Sequence, residues 1–275
     1  MYNLRISKKK IDDILKVVAL SLLITFLSVF NSQLLNAQIL IGPKAGARFS
    51  WLKYEDFAKD EYKKKPVFGY SAGITTAFKV KKRFLLQLDI MYAQSGKKIE
   101  GITDPSLENH AKYHYLNTPI VYKLDFKETL GNRSFKWYVG AGPNVNFWLG
   151  GKGTLESVEL REENIERLDY KIIFDSIPAS PEYGGLYIKE PNKIQVGLIV
   201  STGLVLEPSP GQSLMIDFRY EWGHSYMARE EGRFANVIAY EDNVRARTHA
   251  LQISVCYVFD IINRGKKVKK MYYEN

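Results

Sequence analysis

Three ionisable residues at every second position, Asp217, Arg219 and Glu221, offer the chain's densest chemistry. In an extended segment they share one face, because side chains alternate with period two. Carboxylates flanking a guanidinium suit a proton path, a narrow polar pore or a set of structural ion pairs. Lys44, Arg48 and Asp89 occupy equivalent faces elsewhere, so both signs are present. The four histidines, His110, His114, His224 and His249, are the other reactive groups. They suggest a rim hydrolase of the His/Asp or His/Ser kind, but no GxSxG or HExxH sequence accompanies them. His114, His224 and His249 also fall in phase with Leu116, Trp222 and Leu251, on the apolar face, where imidazole fits an interfacial belt. The expectation is a non-enzyme with no catalytic, metal or cofactor site.

The element that carries Asp217, Arg219 and Glu221 sets them against Leu214, Ile216, Phe218, Tyr220 and Trp222. An apolar face ending in aromatics opposite a charged face fits a wall with lipid outside and ion pairs within. Seven further segments repeat the pattern: 39–51, 67–80, 83–94, 113–124, 135–149, 193–207 and 248–261. Most run about 12–15 residues, against about 5–6 for a soluble strand. Connections alternate between short ones, such as Lys81-Lys82 and Pro208–Gly211, and long ones at 52–66, 95–112, 150–192 and 223–247. Residues 125–134 make a third, somewhat longer, connection on the short side. This is the signature of an all-β, eight-stranded antiparallel up-and-down transmembrane β-barrel with external loops and both termini periplasmic. A soluble lipocalin-like barrel also has eight strands, but it turns its apolar face inward.

At this diameter side chains fill the interior. Lys44, Arg48, Asp89, Asp217, Arg219 and Glu221 are therefore expected to form a barrel-interior charge network, a salt-bridged plug in preference to a conducting path. Pro119 and Pro143, with Gly140 and Gly142 nearby, predict a bulged, bent region where strands four and five meet.

The N-terminus reads as a signal peptide over 1–37. It has a basic region with Arg5, Lys8, Lys9, Lys10 and Lys16, an apolar run from Val17 to Phe30, and a cleavage point near Ala37-Gln38. An uncleaved anchor helix is the alternative, though the run is short of the roughly 20 residues a span needs. Cleavage removes five basic and two acidic residues and lowers the net charge from +9 to +6. Much of the remaining excess lies in a basic tail over 262–275 that includes Arg264, Lys266, Lys267, Lys269 and Lys270. The body, 38–261, shows no basic stripe with interleaved stacking aromatics, so nucleic acid is not an expected partner. The single cysteine, Cys256, has no intrachain disulfide partner.

Four short sequences carry a family resemblance: Ile41-Gly42-Pro43-Lys44-Ala45-Gly46, Gln87-Leu88-Asp89-Ile90-Met91-Tyr92, Tyr115-Leu116-Asn117-Thr118-Pro119-Ile120 and Gly140-Ala141-Gly142-Pro143. In order and spacing they resemble PorT-like outer-membrane β-barrel proteins of Gram-negative bacteria. The resemblance spans about Ile39 to Phe259 and implies an eight-stranded barrel in the outer membrane. It also implies a structural or accessory envelope role, with the type IX secretion system as a specific possibility. The family supplies no agreed catalytic residues. The chain departs from it in the basic tail and in the long third external loop. Expected partners are outer-membrane lipid and envelope or secretion proteins meeting loop 150–192 or tail 264–275. A surface-binding barrel using that loop is a further reading.

Overall fold

The computed structural model describes residues 39–54, 62–81, 83–102, 104–130, 133–209, 211–235, 237 and 240–261. The predicted signal peptide, 1–37, and the predicted tail, 262–275, lie outside these residues.

Eight long strands make the wall: β1 (Ile39–Tyr54), β3 (Val67–Lys81), β4 (Phe84–Gly101), β5 (Glu108–Leu130), β6 (Arg133–Glu156), β9 (Ile194–Ser209), β10 (Gln212–Gly223) and β13 (Ala246–Asp260). Each pairs antiparallel with its sequence neighbour in the ring. Pairing of β6 with β9, and of β1 with β13, closes the ring. Closure removes every edge whose amide groups lipid would leave unpaired.

The long connections fold as well. Strand β2 (Tyr62–Lys65) pairs with the outer end of β4. Strands β7 (Leu168–Ile173), β8 (Gly185–Tyr187), β11 (Gly232–Phe234) and β12 (Glu241–Asp242) extend the sheet in that order from the outer end of β6. A single-turn helix, α1 (Val158–Glu162), precedes β7, and its Ser157 N-cap accepts a hydrogen bond from Leu160 N. These parts form a cap over the mouth of the ring. Leu155, Leu160, Leu186, Ile188, Met227 and Val244 are among its buried residues.

Alternation assigns the faces. Ile74, Ile90 and Leu251 point outward and stay about half exposed, at 56%, 55% and 50%. Aromatic rings band this apolar wall at two levels. Phe84 with Tyr122, Phe126 with Trp137, and Tyr257 with Phe259 pack at the lower level. Tyr92 with His114, and Trp51 with Tyr220 and His249, pack at the upper level. On β4, β5 and β13 the levels are the same number of residues apart: Phe84 to Tyr92, His114 to Tyr122, His249 to Tyr257. Eight residues is about 26 Å of strand at ~3.3 Å per residue. At a tilt of about 40° that is ~20 Å of height, close to the roughly 25 Å apolar band of an outer-membrane barrel.

The expected bulge at Pro119 and Pro143 is not there. Pro43, Pro119 and Pro143 instead each interrupt pairing on one side only, without shifting register. At Pro143 the β5–β6 ladder skips from Pro119↔Asn144 to Tyr122↔Ala141, while β6–β9 runs through Pro143↔Leu198. At Pro119 the β4–β5 ladder skips from Leu88↔Ile120 to Met91↔Asn117. Pro43 does the same to β1–β13, between Ile41↔Phe259 and Lys44↔Cys256. The physical reason is that proline removes one N–H, and that N–H points to only one neighbour. The glycine before two of these prolines lets the strands close up. A Cβ on Gly42 would lie 1.8 Å from Tyr257 O, and one on Gly142 would lie 1.9 Å from Ile120 O. The β5–β6 register shift occurs elsewhere, between His114 and Tyr115, beside Gly150 with its φ of 141°.

Two connections are much shorter than expected. Strands β4 and β5 run beyond the membrane, so the 95–112 loop shrinks to the few residues between Gly101 and Glu108. Alternation continues there because Ile99, Asn109, Ala111 and Tyr113 pack inward beneath the cap. At the other end, β5 reaches Leu130 and β6 begins at Arg133, which leaves two residues of the expected 125–134 connection.

Candidate functional site: a tiered polar interior

The six residues singled out in the sequence all point into the ring and are buried. They form two tiers, not one network.

The lower tier gathers around two carboxylates from β4 and β10. Lys44 Nζ, from β1, lies 3.1 Å from Asp89 Oδ2 and also donates to Asp217 Oδ2. Arg219 bridges the same pair, with Nη1 2.7 Å from Asp89 Oδ2 and Nε 2.7 Å from Asp217 Oδ2. Asp89 Oδ1 accepts from Thr75 Oγ1 and, at 2.7 Å, from Gln87 Nε2. Tyr138 O–H donates to Asp217 Oδ1 at 2.7 Å.

One member of this tier was not among the expected site residues. Lys123 of β5 is buried, and its Nζ has no hydrogen-bond partner among the described residues. It sits 4.0 Å from Asp217 Oδ1 and 3.6 Å from the centroid of the Tyr138 ring. Its inward phase with Asn117 was visible in the sequence. Its proximity to Asp217, on a strand three places away round the ring, was not.

The upper tier pairs Arg48 with Glu221 through two parallel bonds of 2.6 and 2.7 Å. This bidentate fork is the strong geometry for a guanidinium and a carboxylate. Arg48 Nε donates to Ser95 Oγ at 2.9 Å, and Asn144 Nδ2 donates to Glu221 Oε2 at 3.3 Å. Apart from Lys123, the interior charges therefore have hydrogen-bonded partners from other strands of the ring, as burial of charge requires.

Each end of the column is closed. Below, Leu40, Ala77, Leu85, Met215, Cys256 and Val258 form a small apolar cluster. Above, under the cap, Lys97 of β4 pairs with Asp242 of β12, and both are buried. Tyr170 O–H donates to Asn109 Oδ1 at 2.7 Å, and Asn109 Nδ2 donates to the Tyr240 hydroxyl oxygen at 3.0 Å. Burial, and the Asp242 carboxylate nearby, push the Tyr170 and Tyr240 hydroxyls well above their ordinary value. Sequence reading missed this third polar layer, because Lys97 and Asp242 both fell within connections expected to be loops.

The histidines do not converge. His114 and His249 lie on the outer wall, and each is hydrogen-bonded through Nδ1 to a tyrosine hydroxyl, of Tyr92 at 2.5 Å and of Tyr220 at 3.0 Å. His224 follows the end of β10 on the same outward phase as Trp222. No group of His, Cys, Asp and Glu with metal-binding geometry occurs among the described residues. What the interior can do chemically is hold charge in fixed pairs and fill space.

Several solved structures are similar. They include Neisserial surface protein A, with a TM-score of 0.39 at 12% identity over 82% of this chain and 99% of that one. OprG from Pseudomonas aeruginosa gives 0.47 at 11% identity over 81% and 95%. Ail from Yersinia pestis, in complex with the heparin analogue sucrose octasulfate, gives 0.34 at 12% identity over 81% and 99%. A search of curated proteins found no match. The family model described as "Outer membrane protein beta-barrel domain" matches residues 31–225, well over half of the chain. With the closed ring and its lipid-facing wall, that match makes the chain a member of the outer membrane protein β-barrel domain family.

Proposed function

We propose that this protein is a closed, non-enzymatic outer-membrane barrel of the PorT-like group, a structural or accessory component of the Gram-negative envelope. Its cap faces outward and both termini are periplasmic. The carrying observation is the filled interior. Lys44, Arg48, Asp89, Asp217, Arg219 and Glu221 hold one another across the bore between an apolar seal below and the packed cap above. An eight-stranded ring is just wide enough to be filled in this way. Planar-bilayer recording of the purified full-length protein tests the closed state. The expected trace is flat, and steady ion-selective steps would overturn it. Accessory function is tested by affinity purification from outer membrane in mild detergent. Reproducible recovery of type IX components, with loss of protein secretion on deletion, would assign it to that system.

The cap favours a second reading, a surface-binding barrel that uses the 150–192 loop. Strands β7, β8, β11 and β12 give that loop and the 223–247 connection a shared sheet with its own buried core. A loop folded to this degree presents a fixed surface. Protection of the cap from protease by an added extracellular ligand would support this reading.

A further inference from the structure

On the outer flank of the wall, where the upper ends of β9, β10 and β13 meet the cap, lies an open pocket of about 720 Å³. Arg229, Arg245, Arg247 and His224 line it, with Glu190 as the one carboxylate. Tyr226 organises it. Arg247 stacks over the Tyr226 ring at 4.4 Å and donates through Nη2 to the Tyr226 hydroxyl, and Arg245 lies 5.8 Å from the same ring. The tyrosine is held from below, where Asn192 Nδ2 donates to its carbonyl at 3.1 Å. Arg247 Nε is buried and has no hydrogen-bond partner among the described residues. Stacked, pre-oriented guanidinium groups suit a phosphate, whose oxygens match the fork of an arginine.

The height of the pocket identifies where the phosphate comes from. Going outward along the exterior face of β13, Ile253 and Leu251 meet lipid, His249 lies in the upper aromatic layer, and Arg247 follows two residues on. That is about 7 Å of strand beyond the layer. Lys53 of β1 stands directly opposite Arg247. The same sequence recurs across the ring on β5, where Ile120 and Leu116 precede His114 in the aromatic layer and Lys112 follows two residues on. Lys112 there pairs in register with Lys152, and Lys152 with Lys171, which places three like charges side by side. Like charges directly opposite one another are unfavourable in a sheet. A basic layer immediately outside the aromatic one matches the level of lipid headgroups.

We propose that the Arg229–Arg245–Arg247 pocket binds the phosphate monoester of a lipid headgroup in the outer leaflet. The proposal rests on the cap facing outward. Its test places the full-length protein in nanodiscs of phosphatidylcholine doped with diphosphorylated lipid A, and counts retained lipid by native mass spectrometry. Wild type should keep lipid A, and Arg229→Gln/Arg247→Gln should keep at least about tenfold less, since two charge-assisted hydrogen bonds are lost. Arg229→Gln alone changes only an exposed side chain and should show a smaller loss in the same direction. Equal retention by wild type and both variants would overturn the pocket. Stabilisation by inorganic phosphate as strong as by lipid A would overturn the lipid source. Preferential retention of phosphatidylglycerol would overturn the outer-leaflet assignment together with the orientation it rests on.

Discussion

The lower tier holds three basic groups, Lys44, Lys123 and Arg219, against two acidic ones, Asp89 and Asp217. That imbalance makes Asp217 and Lys123 opposite cases. Asp217→Asn keeps the side chain's volume but leaves the three basic groups with Asp89 alone. Breaking a buried ion pair from one side costs about 3–5 kcal/mol, a large part of the roughly 5–15 kcal/mol that holds a typical protein together. Lys123→Met removes the group that has no hydrogen bond and leaves two of each sign. It loses the contact with the Tyr138 ring, up to about 2 kcal/mol when desolvated, and relieves the isolation of a buried amine by a similar amount. The expected change is within about 1 kcal/mol of zero. In the Asp217→Asn background, Lys123→Met should restore about 0.5–3 kcal/mol, the coupling typical of neighbours in one network. The assay is reversible urea unfolding in phospholipid vesicles, followed by tryptophan fluorescence, with gel mobility of unheated samples to report a closed barrel. If Lys123→Met cost as much as Asp217→Asn, or the pair were simply additive, the charge reasoning would fail.

Three further outcomes follow from the same structure. Gly42→Ala should disrupt the β1–β13 seam, because its Cβ would sit 1.8 Å from Tyr257 O. Misfit of that kind typically costs about 1–3 kcal/mol or more, and a normal yield of heat-modifiable barrel would contradict the close approach. Asp242→Asn strips Lys97 of its carboxylate inside the cap, so protease should cut the 223–247 connection faster while the membrane-embedded wall keeps its unfolding midpoint. Alkaline pH should open the cap. The Tyr170 and Tyr240 hydroxyls are raised above their unfolded value, so the stability they carry is full below about pH 10 and declines as pH rises toward their folded values. Tyrosinate absorbance should then lag for these two until the cap yields, and Tyr240→Phe should reduce that lagging amplitude. A single unperturbed titration would count against it.

The wall was legible because one rule governs it. Where lipid lies on one side and a packed interior on the other, the period-two pattern assigns each residue's face, and it placed Lys44, Arg48, Asp89, Asp217, Arg219 and Glu221 inward without knowledge of their partners. Partners are a matter of ring order. Lys44 meets Asp89 two strands away on one side and Asp217 two strands away on the other, and no local pattern encodes that distance. The prolines misled because a missing N–H reads the same in sequence whether the strand bulges or merely skips a bond. The difference lies in Gly42 and Gly142, whose lack of a side chain allows the next strand to come close instead of bending away. The cap was illegible for another reason. Beyond the membrane the outer face meets water, so apolar alternation fades on one side just where Ile99, Ala111, Tyr113 and Leu155 continue it on the other.

A barrel closed in the way proposed above has no evident need for a charged core, since apolar residues would fill the bore at lower desolvation cost. The lipid outside supplies a reason. With apolar residues on both faces, a strand slipped by one residue would find its inverted pattern nearly as comfortable. Arg or Lys turned to the bilayer midplane costs about 2–4 kcal/mol each, so Lys44, Arg48, Lys123 and Arg219 penalise a slip of β1, β5 or β10. The strands that carry them sit apart in the ring, and Asp89 on β4 and Glu221 on β10 give them a target only in the correct order. The ion pairs thus act against wrong registers more than in favour of the right one. This accounts for their presence on β1, β4, β5 and β10, while β13, which pairs with two charge-bearing strands, lines the bore with Gln252, Ser254 and Cys256.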